Sequence, residues 1–227
     1  MGCILGEKNK EAEKAEVAKN NTERKPYSFE LKKAGLKKED YMFQNKMGEL
    51  LTRKAGQING QQFIIDSCKG CTILLEDYTP AVNMYSCEDC KVFIGPCSGS
   101  VYIRNSKNCK IIVAAAQLRI YNCQDFDLLV FSMSDPSVEQ CTDLRIGCFD
   151  YYYPELKEQF KQAKLNVWNN VWSEVYDFTP GIGSYEYLSP EITAKDLISE
   201  TNCIALPVVP RTLGKSKDLY SHVISYL

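Results

Sequence analysis

Between residues 63 and 148, apolar and polar positions alternate in short runs, and the runs recur. Phe63/Ile65, Val82/Met84, Val101/Ile103 and Leu118/Ile120 are apolar pairs spaced two apart, with mixed or polar residues between them; Pro136/Val138 repeats the spacing less cleanly. Alternation of period two predicts a strand with one buried face. Each run is followed by Ser67, Ser86, Asn105, Asn122 or Gln140, mostly turn formers. A second apolar run then begins at Thr72, Lys91, Lys110, Asp127 or Arg145. The whole pattern returns every 17 to 19 residues, as from Cys68 to Cys87 and from Cys90 to Cys109. Two to three short strands per coil of this length predict a parallel β-helix, in which every rung buries its inner face against the next. The tighter six-residue repeat of left-handed hexapeptide helices is absent.

Both ends of such a stack need cover. Residues 154–164 predict a short amphipathic helix with Pro154 at its first position and Leu156, Phe160 and Ala163 on one face. Residues 165–227 carry Trp168, Trp172, Tyr176 and Phe178 with weak periodicity and are expected to wrap the solenoid. Residues 4–26 are charged and nearly free of aromatics, which predicts a flexible tether. Tyr27, Phe29, Tyr41 and Phe43 mark a segment expected to dock. The expected organisation is therefore a tether over 1–26, a mainly β solenoid domain over 27–185 and a packed tail over 186–227.

Composition narrows the chemistry. The chain has 227 residues, 44% hydrophobic and 25% charged, enough for one sizeable core. A net charge of −2 gives it no global electrostatic claim on nucleic acid. No apolar run approaches the ~20 residues that span a bilayer. The single histidine, His222, argues against histidine triads, histidine-rich metal sites and histidine acid–base chemistry.

The unusual number is eleven cysteines. A disulfide framework needs an oxidising compartment, and the apolar stretch before Glu7 is far too short for the h-region expected of a secretory signal. Cys68-x2-Cys71 and Cys87-x2-Cys90 have the spacing of a four-cysteine zinc ribbon. The later copies of the same pair read Ser106-x2-Cys109, Cys123-x2-Phe126 and Cys141-x2-Leu144. Zinc cannot exchange a ligand for phenylalanine or leucine, whereas a ladder of small buried side chains can. Cys68, Cys71, Cys87, Cys90, Cys109, Cys123 and Cys141 are therefore expected to mark coils, reduced and mostly buried. Cys97, Cys148 and Cys203 receive no role, and neither a metal nor a cofactor is expected.

At the N-terminus, loss of Met1 would expose Gly2 to myristoylation and leave Cys3 for palmitoylation, and two acyl chains anchor stably where one does not. Gly6 stands where the usual pattern has serine or threonine.

If the alternating apolar positions face inward, two columns face outward. One is Ile64, Asn83, Tyr102, Arg119, Ser137; the other is Asp66, Tyr85, Arg104, Tyr121, Glu139. Tyrosine and arginine are enriched at protein-interface hot spots. The same columns also fit a solvated sheet face with ion pairs such as Arg104–Glu139.

The chain resembles the tubulin cofactor C domain family. The resemblance rests on Gln62-Phe63-Ile64-Ile65-Asp66-Ser67-Cys68, Gln117-Leu118-Arg119, Gly147-Cys148-Phe149, Tyr152-Tyr153-Pro154-Glu155-Leu156 and Trp172-x5-Phe178-Thr179-Pro180. Met1-Gly2-Cys3 and Asp40-Tyr41-Met42-Phe43 narrow it to the retinitis pigmentosa branch of that family. The resemblance implies a right-handed parallel β-helix. It implies a protein that accelerates GTP hydrolysis by an Arf-like small GTPase in its GTP state, or by tubulin. It also implies dual acylation, residence on the cytoplasmic face of the plasma membrane and at the ciliary base, and a part in releasing lipidated cargo. The family's catalytic arginine falls on Arg119. An arginine supplied in trans neutralises charge that develops on the transferring phosphoryl group, and lysine lacks its geometry. The family usually carries a glutamine three residues earlier; here that position is Ala116, and Gln117 follows it. Partner contacts are expected at Tyr102, Arg104, Tyr121, Glu139, Asp177 and Phe178. The branch also carries a C-terminal domain resembling nucleoside diphosphate kinases, so a sequence ending at Leu227 is expected to be a short paralogue or a truncation. A non-catalytic GTPase effector or cytoskeletal adaptor would use the same face.

Overall fold

The computed structural model describes residues 37–179 and 185–199. The expected tether, Gly2, Cys3, Tyr27, Phe29, Cys203 and His222 lie outside them. The described chain is a parallel β-solenoid of about six turns. Its strands are β1 (Met42–Gln44), β2 (Leu50–Arg53), β3 (Phe63–Asp66), β4 (Thr72–Leu75), β5 (Val82–Tyr85), β6 (Lys91–Arg104), β7 (Lys107–Tyr121), β8 (Gln124–Ser132), β9 (Ser137–Glu139), β10 (Thr142–Cys148), β11 (Tyr176–Asp177) and β12 (Tyr185–Tyr187). One ladder runs β1-β3-β5-β6-β7-β9-β11 and a second runs β2-β4-β6-β7-β8-β10-β12, all parallel. β6 and β7 belong to both because each continues through two sides of its coil.

The Cys-x2-Cys spacing is corner geometry. Each member of the pair follows a residue with positive φ. The first corner column is Asn45, Ser67, Ser86, Asn105, Asn122, Gln140; the second is Gly48, Gly70, Asp89, Asn108, Asp125, Asp143. Asparagine, aspartate and glycine enter the left-handed region at least cost, so these types recur where the chain must bend twice within four residues. Some corner side chains also bond up the stack. Asn122 Nδ2 donates to Asn105 Oδ1 at 2.9 Å, and Asn108 Nδ2 donates to Asp89 Oδ1 at 2.6 Å.

The interior holds the alternating apolar residues and the thiols. Cys68, Cys71, Cys87, Cys90, Cys97, Cys109, Cys123 and Cys141 are buried and unpaired by disulfides, and Cys148 is half-buried. Each thiol of the two ladder columns donates to a carbonyl two residues back, as Cys109 does to Lys107 O at 3.2 Å. Burial pushes the Cys97 thiol up to about 11. The bond between the Cys123 and Cys141 side chains, then burial, pushes Cys123 up as well. Cys97 and Cys123 therefore stay protonated at neutral pH and are poor nucleophiles.

The second apolar run of each coil is continuous because both of its faces are covered. Ile73 and Leu75 point inward, while Leu74, Phe93, Ile112 and Leu129 form an outer cluster. Over that cluster lie Phe149, Tyr151, Tyr153, helix α1 (Leu156–Gln162) and helix α2 (Ala194–Leu197). Helix α1 begins two residues later than expected: Glu155 is its N-cap and Leu156 its first residue, so Pro154 precedes the helix rather than opening it. Leu156, Phe160 and Ala163 are buried as the periodicity predicted. At the other end, Phe43 is buried and meets Phe63 edge-on at 5.1 Å. β12 crosses the expected border at 185/186 and pairs with β10, so it extends the stack.

Candidate functional site

The two outward columns are assembled in the predicted register. Asn83, Tyr102, Arg119 and Ser137 are successive partners on β5, β6, β7 and β9, and Tyr85, Arg104, Tyr121 and Glu139 stand beside them. β11 adds Tyr176 against Ser137 and Asp177 against Val138. A cavity of about 760 Å³ opens on this face, with Arg119, Gln117, Tyr102, Tyr121, Glu139 and Phe178 in its lining. Six of the eight residues proposed for catalysis and partner contact on the solenoid therefore share one hollow.

The other two do not line it. The Arg104 guanidinium lies over the Tyr85 ring, 4.4 Å from its centroid. The alternative reading of the face paired Arg104 with Glu139, and that pair does not form, because Tyr121 stands between them in the ladder. Asp177 turns to its own chain: its Oδ1 accepts from Thr179 N at 2.8 Å and from Thr179 Oγ1 at 3.3 Å.

Arg119 is exposed, and its side chain makes no hydrogen bond or ion pair among the described residues. Its backbone is fixed on both sides by Tyr102 and Ser137. Gln117, two residues earlier on the same face, lines the cavity with it, and its Oε1 accepts from Ser100 Oγ at 2.9 Å. Ala116 is half-buried against the outer cluster, and its carbonyl accepts from Ser134 N and Ser134 Oγ, each at 3.1 Å. The pleat thus gives the polar place beside Arg119 to Gln117 rather than to residue 116.

Sequence reasoning missed Ser100, Ser134 and Asp135, which also line the cavity. The Ser134-Asp135-Pro136 turn was a visible signal of a tight loop, but nothing local says that Ser134 and Asp135 line the same cavity as Arg119. The lining of the cavity includes the Arg119 guanidinium and the carboxylates of Asp135 and Glu139. Among the described residues no group of acidic, cysteine or histidine side chains is arranged to hold a metal ion. No described helix is long and apolar enough to cross a membrane.

The model of the family "Tubulin binding cofactor C" matches residues 60–178. Protein XRP2 of Xenopus laevis is 38% identical to this chain over 95% of it and 65% of its own length. Protein XRP2 of Homo sapiens is 43% identical over 84% of this chain and 55% of its own length. Tubulin-specific chaperone C of Homo sapiens is 26% identical over 60% of this chain and 39% of its own. A solved tubulin binding cofactor C from Leishmania major superposes with a TM-score of 0.42 at 18% identity, over 64% of this chain and 88% of its own. The chain spans between about half and two thirds of the length of the Xenopus laevis and Homo sapiens XRP2 relatives. The match over the coils, together with the XRP2 identities, places the chain in the tubulin binding cofactor C family, in its XRP2-like branch.

Proposed function

We propose that the chain activates GTP hydrolysis by an Arf-like small GTPase in its GTP state, with Arg119 as the residue inserted in trans. The observation that carries this reading is the state of Arg119. It is exposed, has no hydrogen-bond or ion-pair partner for its side chain among the described residues, and rises from a strand bonded on both sides. An unpaired guanidinium on a rigid strand is pre-positioned for charge that appears only when the partner reacts. The GTPase supplies nucleotide, Mg²⁺ and the water-orienting group, so the chain itself needs no phosphate loop. Gln117 presents an amide beside the arginine, where it meets either the phosphoryl oxygens or the partner.

Gly2 and Cys3 would hold the protein on the cytoplasmic face of the plasma membrane or at the ciliary base, and release of lipidated cargo is the biological output of that placement. Gly2→Ala should move the full chain from the membrane to the soluble fraction; unchanged fractionation counts against acylation.

The test of the activity is single-turnover GTP hydrolysis with a panel of Arf-like GTPases. Acceleration by the wild-type chain, abolished by Arg119→Ala, supports the reading. Tight binding of the GTP form without acceleration favours the second reading, a non-catalytic effector or cytoskeletal adaptor, which Ala116 in the family's glutamine position keeps open. The tubulin-specific chaperone relatives make tubulin the other partner to include in the panel.

A further inference from the structure

The last coil ends in a way the inner coils do not. At each inner first corner, the backbone N–H of the left-handed residue donates to a carbonyl of the following coil. Ser67 N donates to Tyr85 O at 3.0 Å, Ser86 N to Arg104 O at 3.1 Å, Asn105 N to Tyr121 O at 3.1 Å and Asn122 N to Glu139 O at 2.9 Å. Gln140 occupies the next corner, with φ 53°. Its N–H donates instead to a side chain, Thr179 Oγ1, at 2.8 Å. The threonine hydroxyl stands where the inner coils place a backbone carbonyl.

That hydroxyl is used in both directions. It accepts from Gln140 N and donates to Asp177 Oδ1, which also accepts from Thr179 N. Between the two clasp residues sits Phe178, whose N–H donates to Val138 O at 2.9 Å. Its ring meets Tyr176 edge-on at 4.7 Å. These rings are 60% and 57% exposed, so the core does not need them. β11 contributes only two residues to the ladder, too few to hold two large rings in place unaided. Phe178 nonetheless lines the cavity of Arg119.

We infer that Asp177 and Thr179 are positioning residues. They close the last corner of the solenoid and so hold Phe178, with Tyr176, as a preformed aromatic lip on the Arg119 cavity, against which an apolar patch of the GTPase docks. The inference rests on the reading of Arg119 given above. It moves Asp177 from partner contact to internal support, since its carboxylate is spent on Thr179. Because Arg119 is fixed by β6 and β9, loss of the clasp acts on docking and leaves the chemical step alone. Pre-ordering an aromatic anchor lowers the ordering cost of association.

The experiment uses the full chain and the GTP-loaded GTPase that it accelerates best. Single-turnover hydrolysis is followed across a range of chain concentrations for wild type, Thr179→Val, Thr179→Ser and Phe178→Ala. Valine keeps the shape of threonine and removes both bonds of the hydroxyl; serine keeps them. Thr179→Val and Phe178→Ala should each raise the half-saturating concentration about tenfold with the saturated rate within about twofold of wild type, and Thr179→Ser should restore both. Amide exchange on the free chain should quicken at Gln140 and Phe178 in Thr179→Val and stay unchanged at Arg119. A Thr179→Val chain with wild-type half-saturation overturns the inference, and so does one whose saturated rate falls without a shift in half-saturation. It is equally overturned if Phe178→Ala is silent while Thr179→Val is not, because the clasp is then an end cap only. A wild-type chain that accelerates no GTPase defeats the underlying reading and the docking role with it. That failure is seen before any variant is made, and the exchange data then report the clasp by itself.

Discussion

The hydroxyl of Ser106 donates to the carbonyl oxygen of Arg104 at 3.0 Å, the same two-residues-back bond that the thiols of Cys87 and Cys123 make to Tyr85 and Tyr121. Ser106 is the polar member of a cysteine column, and its oxygen also accepts from the buried Cys87 N–H at 3.0 Å. What the column selects is a small side chain carrying a donor.

That relationship makes the ladder testable. Ser106→Ala leaves the Cys87 N–H without an acceptor in the interior and should cost about 1–3 kcal/mol. Ser106→Cys keeps a small donor and a weak acceptor and should cost less than half as much. Urea unfolding of the two variants decides it; equal losses would show that size alone matters.

The second column is not uniform in size, since Phe126 follows Cys109 and is fully buried. Phe126→Cys would restore the motif and open a void, with an expected loss of about 3 kcal/mol. A neutral result in the same unfolding measurement would mean that neighbouring coils collapse onto the site.

The corners depend on residue type. Asn105 and Asn122 sit at φ 52° and 50°, and their side chains bond each other. Asn122→Val introduces a β-branched residue into the left-handed region and should cost about 2 kcal/mol or more, while Asn122→Gly should stay within about 1 kcal/mol. Thermal or urea unfolding that ranks glycine below valine would refute the corner reading.

Cys97 sets an alkaline limit. Burial raises its thiol from 9.0 to about 11. Below pH 9 the thiol is protonated folded and unfolded, so its contribution is complete. Between pH 9 and 11 the unfolded chain ionises first, and stability falls. Across that window Cys97→Ala should remove up to about 1 kcal/mol per pH unit of the slope. Parallel slopes for wild type and variant would contradict this.

Arg119 carries the activity prediction. Arg119→Ala should lower acceleration by about 10³–10⁵-fold, and Arg119→Lys should recover little of it. Unfolding midpoints should not move, because the side chain bonds nothing among the described residues. A large loss of stability would make it a structural arginine.

Much of this was legible in the chain because a solenoid writes itself into local sequence. Every coil repeats the same inward pair, corner and apolar run, so the register of Tyr102 beside Arg119 beside Ser137 follows from counting. The interior position of the thiols follows too, since a metal site could not tolerate Phe126 and Leu144. The sequence also put Arg119 and Tyr121 on an outward face, by strand alternation alone.

Tertiary structure decided the rest, because it depends on contacts between distant segments. The second left-handed column is glycine, asparagine or aspartate at every step, but only the double bend within four residues shows what those residues do there. Leu74, Phe93 and Ile112 looked like interior residues until the segment from Phe149 onward was laid over them. Arg104 and Glu139 could pair on paper, but their ladder places Tyr121 between them. Asp177 and Thr179 are remote in sequence from Gln140, and only the closing of the last coil makes that threonine the acceptor for its backbone. Periodicity fixes which way a side chain points; how the stack ends, and what covers it, is settled by the fold.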